Sequence, residues 1–478
     1  MIAAIIIGTA FFALLSVLFI RTLLFVPKEQ RNTQADSVTV DVERATLSLA
    51  EMIKCKTVSN TNRELEDGAE FDIFKSLLPT LFPRVYETCV CEEPTDRSIL
   101  LRWRGKCDEF PTVLMAHYDV VSAVESDWDR PAFLGLIEND VLWGRGAIDT
   151  KVTLNAILSA AESLIGEGFV PQSDIYFAFG GDEEINGYGA KAIAELLQKR
   201  GIEPCMVLDE GGAIVENSFP GVSGRCALIG IAEKGVANIE YSVKSDGGHS
   251  SAPKKNTPIE RLSEACVRIK NKPFKFRITE PAAKMIDCLG RHSAFGYRLI
   301  FANLWFFSPV LNMIAKHSGG ELNAIFRTTT AFTKMRGSEG MNVIPPVATL
   351  VSNHRILPGD SVESVKEGLR KTVKDKNVEI RVIEGVEPSR TSATSGKAWD
   401  RLSDAVSVTW KDAIVSPYLM FACSDSKHYS TFSDKVYRFS PLTLTKEERN
   451  TIHGNNERIT KSQIHKSIEF YTRLIRES

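Results

Sequence analysis

Between residues 112 and 208, short apolar and β-branched runs take turns with stretches of helical periodicity. No other feature narrows the fold as far. Residues 112–116 read as a buried strand, Val152, Ile157, Leu158, Ala161 and Leu164 mark one helical face, and residues 174–179 read as the next strand. A helix over 188–200 follows, closed by Gly201 in the C-cap place, and then a strand over 205–208. Such alternation builds a mostly parallel sheet with helices on its faces, an α/β architecture.

From about Lys234 the rhythm changes to strand 237–244, helix 258–270, strands 326–335 and 348–356, helix 361–374 and strand 378–383. This β-α-β-β-α-β order is the ferredoxin-like split pattern. A chain of 478 residues has room for it as a second unit. The expected division is a first part of the larger domain over 42–234, an inserted ferredoxin-like domain over 235–387, and the second part of the larger domain over 388–478. The segment 297–315, with Leu299, Ile300, Phe301, Leu304, Trp305, Phe306, Phe307 and Leu311, interrupts the small domain. It reads first as helical core packing; an apolar lid or a pocket for a greasy substrate is the alternative.

The net charge of −2, from 58 basic and 60 acidic residues, leaves no basic face for nucleic acid. Nine irregularly spaced cysteines do not form a disulfide scaffold, and each is expected as a buried or half-buried thiol. Residues 1–26 are dominated by an apolar run from Ile2 to Ile20, long enough to span a bilayer, and 27–41 reads as a polar linker. The run lacks a basic leader and a clear small-residue cleavage site, so it is expected to be an uncleaved signal anchor, with a cleaved signal peptide as the alternative. Arg21, Lys28 and Arg31 all follow the run, and a positive-inside count alone would keep the following domain cytosolic, although large domains translocate despite such a bias. No Asn-x-Ser/Thr sequon is present to argue for a lumenal location.

Histidine and acidic residues sit just past the predicted strands. They are His117 in Met115-Ala-His-Tyr-Asp-Val-Val121, Asp149 in Gly144-Arg-Gly-Ala-Ile-Asp149, and Glu183 and Glu184 in Gly181-Asp-Glu-Glu184. Asp209 in Val207-Leu-Asp-Glu-Gly-Gly212 and His453 in Ile452-His-Gly-Asn455 complete the set. Open parallel sheets bind ligands outside the carboxyl ends of their strands, so these residues can converge in one crevice. Imidazole with carboxylate suits zinc, and a bridging carboxylate suits two metals. Asp119, two residues after His117 on an extended chain, is placed to receive a ring N–H of that ligand. Taken singly, each has a plain reading as a structural histidine, a solvated acid or an Asx turn.

As an ordered set, H-x-D-V-V, G-R-G-x-x-D, D-E-E and the late I-H-G-x-N-E resemble the two-zinc carboxypeptidase and aminoacylase family of metallopeptidases. Within it the chain is similar to the branch of carboxypeptidase S and N-fatty-acyl-amino-acid synthase/hydrolase. Gly248-His-Ser-Ser-Ala-Pro253, Arg327-Thr-Thr-Thr-Ala331 and Asn342-Val-Ile-Pro-Pro-Val-Ala348 carry that likeness. The resemblance runs from about Val42 to the C-terminus. It implies two Zn2+ per chain, one held by His117, Asp149 and Asp209 and the other by Asp149, Glu184 and His453. It further implies Glu183 as general base, His249 as stabiliser of the developing oxyanion, in several relatives across a dimer interface, and Arg355 as the grip on a substrate carboxylate, with Asn323 and Asn342 beside it. Asp119 joins the catalytic group.

Two departures stand out: Asp425-Ser-Lys427 replaces an Asp-Ser-Arg or Asp-Ala-Arg segment, and Asn186 takes a position often small in relatives. Lysine cannot reproduce a bidentate arginine contact. The expected function is zinc-dependent cleavage of the C-terminal amide of a peptide or N-acyl amino acid bearing a free carboxylate. Reversible N-fatty-acyl-amino-acid synthesis is the alternative, and a non-catalytic binding protein on the same fold the more distant one. Expected partners are the substrate, a membrane through the N-terminal run, and a second copy through the inserted lid/dimerisation domain. The expected location is the secretory pathway, with a lumenal, vacuolar or extracellular catalytic domain, or secretion after cleavage.

Overall fold

The computed structural model describes residues 1–28, 37–318 and 320–478. Arg31 and the stretch 29–36 of the expected linker lie outside the described residues.

Strands β1 (Val90–Glu92), β2 (Ser98–Trp103), β3 (Cys107–His117), β6 (Ser173–Gly180), β7 (Met206–Glu216), β8 (Arg225–Glu233), β15 (Ala413–Met420) and β16 (Val436–Thr443) form one eight-stranded sheet. Their order is β1-β2-β6-β3-β7-β16-β8-β15, with β6, β3, β7 and β16 parallel at the centre and antiparallel pairs at the β1–β2–β6 end. The last seven residues of β3 are buried without alternation, as expected for a central strand covered on both faces. Helix Lys151–Gly166 covers one face and is itself buried nearly all round, which suits a helix lying between the sheet and helix Lys461–Arg476.

A second sheet holds β9 (Gly235–Lys244), β11 (Thr329–Arg336), β13 (Val347–Ile356) and β14 (Glu379–Val386) in the order β11-β13-β9-β14, every pair antiparallel. β9 and β13 alternate buried and half-buried residues, and helices Pro258–Asn271 and Val362–Val373 cover the apolar face. This is the split β-α-β-β-α-β order read from the sequence. Small pairings complete the strands: β10 (Gly248–His249) with β12 (Val343–Ile344), and β4 (Leu136–Glu138) with β5 (Val141–Trp143) and β17 (Arg458–Thr460).

The structure differs from the sequence reading in several places. The strand expected over 205–208 continues to Glu216, because a bulge carries it past two glycines instead of ending it. Residue 326 closes a helix, Gly320–Phe326, and the strand begins only at Thr329. The apolar segment is two helices, Phe295–Ala302 and Leu304–Ser318, broken at Asn303; Phe301, Leu311 and Ala315 are core, whereas Trp305 and Phe306 are exposed. All nine cysteines are free, and Cys91 and Cys107 are exposed rather than buried. The Ile2–Leu24 helix is long and apolar enough to cross a membrane.

Candidate metal centre

The residues singled out by the motifs reach one point through strand ends and two crossing loops. His117 is the last residue of β3 and pairs with Gly180 at the end of β6, so the Gly181–Glu184 turn starts beside it. β5 pairs with β17, with Trp143 opposite Arg458, which lays the loop carrying Asp149 against the loop carrying His453. Gly144 N–H donates to Glu457 O at 2.9 Å across that junction.

At the meeting point the Asp149 carboxylate stands between two imidazoles. His117 Nε2 lies 3.1 Å from Asp149 Oδ1, and His453 Nε2 lies 3.0 Å from Asp149 Oδ2. His453 Nε2 is also 3.0 Å from Glu184 Oε2, while His117 Nε2 is 3.2 Å from Glu210 Oε1. His117, Asp149 and Glu184 approach closely enough to share an ion, and so do His117, Glu183 and Glu210.

Asp209 and His453 both fall outside these two groups, and Glu210 is an acid at the site that the expected ligand set did not contain. The Asp209 carboxylate accepts the backbone N–H of Glu210 at 2.9 Å and of Ser426 at 2.8 Å, which ties it to the 424–426 turn. Asp209 pairs with Arg438 and Gly212 with Phe439, so Glu210 and Gly211 bulge out of β7, and the Glu210 carboxylate stands beside His117. The glycine at 211 is needed for this, since φ is +150° and a Cβ there would lie 2.6 Å from that of Arg438. Sequence reasoning missed Glu210; the adjacent Gly211-Gly212 was the available signal of a bulge.

Asp119 is fully buried and organises the cluster from beneath. Its Oδ1 lies 3.3 Å from His117 Nδ1. It accepts the N–H groups of Glu183 and Glu184, both at 3.1 Å, and the Ser59 hydroxyl at 2.7 Å. The second missed residue is Glu457, present in the late motif but given no role. Buried beside Arg145, it accepts that guanidinium at 2.8 Å and the N–H groups of Gly146, Ile148 and Asp149 at 3.0, 2.6 and 3.0 Å.

Charge is out of balance in this pocket. Burial pushes Glu183 well above the ordinary carboxylate range, with Asp425, Glu210 and Glu184 adding to the rise against His117. Burial, reinforced by Asp149, pushes Glu210 up to about 7. Asp149 is buried too, but its bonds to His117 and His453 hold it far below the usual range. Hydrogen bonds to Asp149 and Glu184 take His453 up to about 10. So many buried carboxylates around two imidazoles call for added positive charge, and the oxygen and nitrogen donor set fits divalent cations of the zinc type.

The remaining expected residues lie outside the cluster. His249 is exposed on β10, bonded to Ser251 Oγ at 2.8 Å. Asn323 is half-buried in helix Gly320–Phe326, and Asn342 is exposed before β12. Arg355 is half-buried on β13. Lys427 Nζ donates to Asn186 Oδ1 at 2.9 Å, so the two departures from the family pattern meet each other. Asn186 has φ +52° and ends the Glu183–Ile185 turn.

A family description, peptidase family M20/M25/M40, matches residues 113–477. The probable carboxypeptidase S-like 2 of Dictyostelium discoideum is 33% identical over 99% of this chain and 94% of its own. The N-fatty-acyl-amino acid synthase/hydrolase PM20D1 of Xenopus tropicalis is 34% identical over 100% of this chain and 95% of its own. Among solved structures, the M20 family metallo-carboxypeptidase Sso-CP2 of Sulfolobus solfataricus superposes with a TM-score of 0.69 at 16% identity, covering 90% of this chain and 98% of that one.

Proposed function

This chain belongs to peptidase family M20/M25/M40 and is a metallohydrolase of that family, and from that premise we propose that it cleaves the amide next to a free carboxylate in a peptide or N-acyl amino acid. The observation that carries the reading is the Asp149 carboxylate held between His117 and His453. We assign one zinc to His117, Asp149 and Glu210, with Asp209 kept as the alternative third ligand, and a second to Asp149, Glu184 and His453. When bound, the ions supply Lewis acidity that polarises the amide carbonyl and acidifies water.

Glu183 is the proton carrier in this reading. Its buried carboxyl, in contact range of His117 and Glu210, has a raised proton affinity suited to taking a proton from water and giving it to the leaving amine. Asp119 fixes the Glu183 and Glu184 backbone and the His117 ring together. Arg355, half-buried on β13, and Lys427, bonded to Asn186 in the acidic loop, supply positive charge for the substrate carboxylate. Asn323 and Asn342 remain proposed companions of that grip. His249, exposed and outside the cluster, would serve the site of a second copy in a homodimer formed through the inserted domain.

The division into 42–234 with 388–478 and an inserted 235–387 is supported by separate buried clusters in the two sheets. The Ile2–Leu24 helix is proposed as a signal anchor that places the enzyme in the secretory pathway.

The second reading is an acylated substrate, the class in the name of the Xenopus tropicalis relative. Tyr418 and Phe421, just before the 422–427 segment, pack against the same buried cluster that Leu304 and Leu311 of the apolar helices join. Turnover of a dipeptide series against oleoyl-amino acids, in both directions, tests the assignment. Hydrolysis of either class supports it, a preference for oleoyl-amino acids selects the second reading, and no turnover of either by the zinc-loaded protein rejects it.

A further inference from the structure

The helices between residues 295 and 318 carry more apolar surface than the core uses. Phe301, Leu311 and Ala315 are buried on one side. On the other, Trp305 is 57% exposed, and Phe306, Val310, Met313 and Ile314 are exposed with it. Water does not favour so continuous an apolar face.

What adjoins the face identifies its partner. The Phe19 and Phe295 rings are 5.9 Å apart. Arg21 donates to Ala302 O at 3.1 Å, and the Asn303 amide donates to Leu18 O at 3.1 Å and Thr22 Oγ1 at 3.2 Å. Leu299, Phe306 and Phe307 line an apolar cleft of about 520 Å³ whose opposite wall includes Phe11, Leu14 and Leu15. At a rise of 1.5 Å per residue, Phe11 lies about 20 Å along the helix axis from Leu24. In a helix spanning a hydrocarbon core of about 30 Å that is deep inside, and the cleft that Phe306 and Phe307 line runs from Phe11 to Phe19, about 8 Å from the Leu24 end.

The pair Phe295–Ala302 and Leu304–Ser318 has the composition of a membrane span but bends by 112° at Asn303. Irregular backbone at membrane depth is tolerated where it packs on protein, and the elbow amide is bonded to the Ile2–Leu24 helix. The end of that helix is no loose tether. Lys28 pairs with Asp287 at 3.0 Å, and Arg291 lies over the Phe25 ring at 4.4 Å and donates to Val26 O at 3.1 Å.

We propose that residues 295–318 form a re-entrant wedge in the bilayer that the Ile2–Leu24 helix crosses, so that acyl chains cover Trp305 and the catalytic domain sits on the lipid surface. This rests on the proposed anchor being retained as a span. The test uses the full chain in phosphatidylcholine nanodiscs with acyl-brominated lipid, compared with Trp305→Phe. Bromolipid should quench a tryptophan component that Trp305→Phe lacks, and aqueous iodide should spare it. Quenching of that component by iodide instead would overturn the wedge. Protection from both quenchers would also overturn it, since protein, a second copy included, would then cover the face. Alkaline carbonate treatment separates the premises: a chain washed off has no span and no wedge, whereas a retained chain with iodide-accessible Trp305 loses only the wedge.

Discussion

Glu457 and Asp149 stand 308 positions apart, and the Glu457 carboxylate accepts the Asp149 N–H at 3.0 Å. The same carboxylate is paired with buried Arg145, so it fixes the loop that presents Asp149. Removing one partner of a buried ion pair costs about 3–5 kcal/mol. Glu457→Gln should therefore lower unfolding stability by about that amount and weaken metal binding about 10–100-fold. Calorimetry with metal titration checks both, and unchanged metal affinity would remove Glu457 from the site's support.

The adjacent acids Asp209 and Glu210 should separate cleanly by substitution. Glu210→Ala is expected to lose about one of two metal ions per chain. Asp209→Asn should keep the metal but destabilise the protein by about 1–3 kcal/mol, since its carboxylate anchors backbone at Ser426. Metal analysis of the two purified variants decides between them.

Glu183→Gln retains shape and removes the proposed proton carrier. Turnover should fall by about 100- to 10,000-fold with metal content unchanged. Near-native turnover would return the base assignment to another group.

The inserted sheet has its own pH response. His354 is buried between Ser352 Oγ at 2.7 Å and Thr330 Oγ1 at 3.1 Å, and burial lowers its pKa to about 4. Between pH 6.5 and 4 the unfolded histidine takes a proton that the folded one refuses. Stability present above pH 6.5 is therefore lost as pH falls through that window, by about 3 kcal/mol. Hydrogen exchange of β9 and β13 amides should show this loss, and His354→Gln should flatten it.

Periodicity made the two sheets legible, and motif spacing made His117, Asp149, Glu184 and His453 legible, because strand ends and short loops convert sequence order directly into position. Glu210 was not singled out beside Asp209, since a two-residue bulge brings its carboxylate to His117. Glu457 was hidden for another reason: its work is done on backbone N–H groups three hundred residues away, which no local pattern reports. The apolar stretch 297–315 was visible as apolar. Its division into a core face and an exposed face depends on the elbow at Asn303 and on the N-terminal helix packed against it.

The most direct test of the account is the metal content of the full-length chain beside that of Asp149→Ala. The account predicts about two zinc ions per chain, both lost or greatly weakened when the bridging carboxylate is removed. A folded protein that takes up no zinc, or an Asp149→Ala variant that binds it as well as the native chain, would contradict the account.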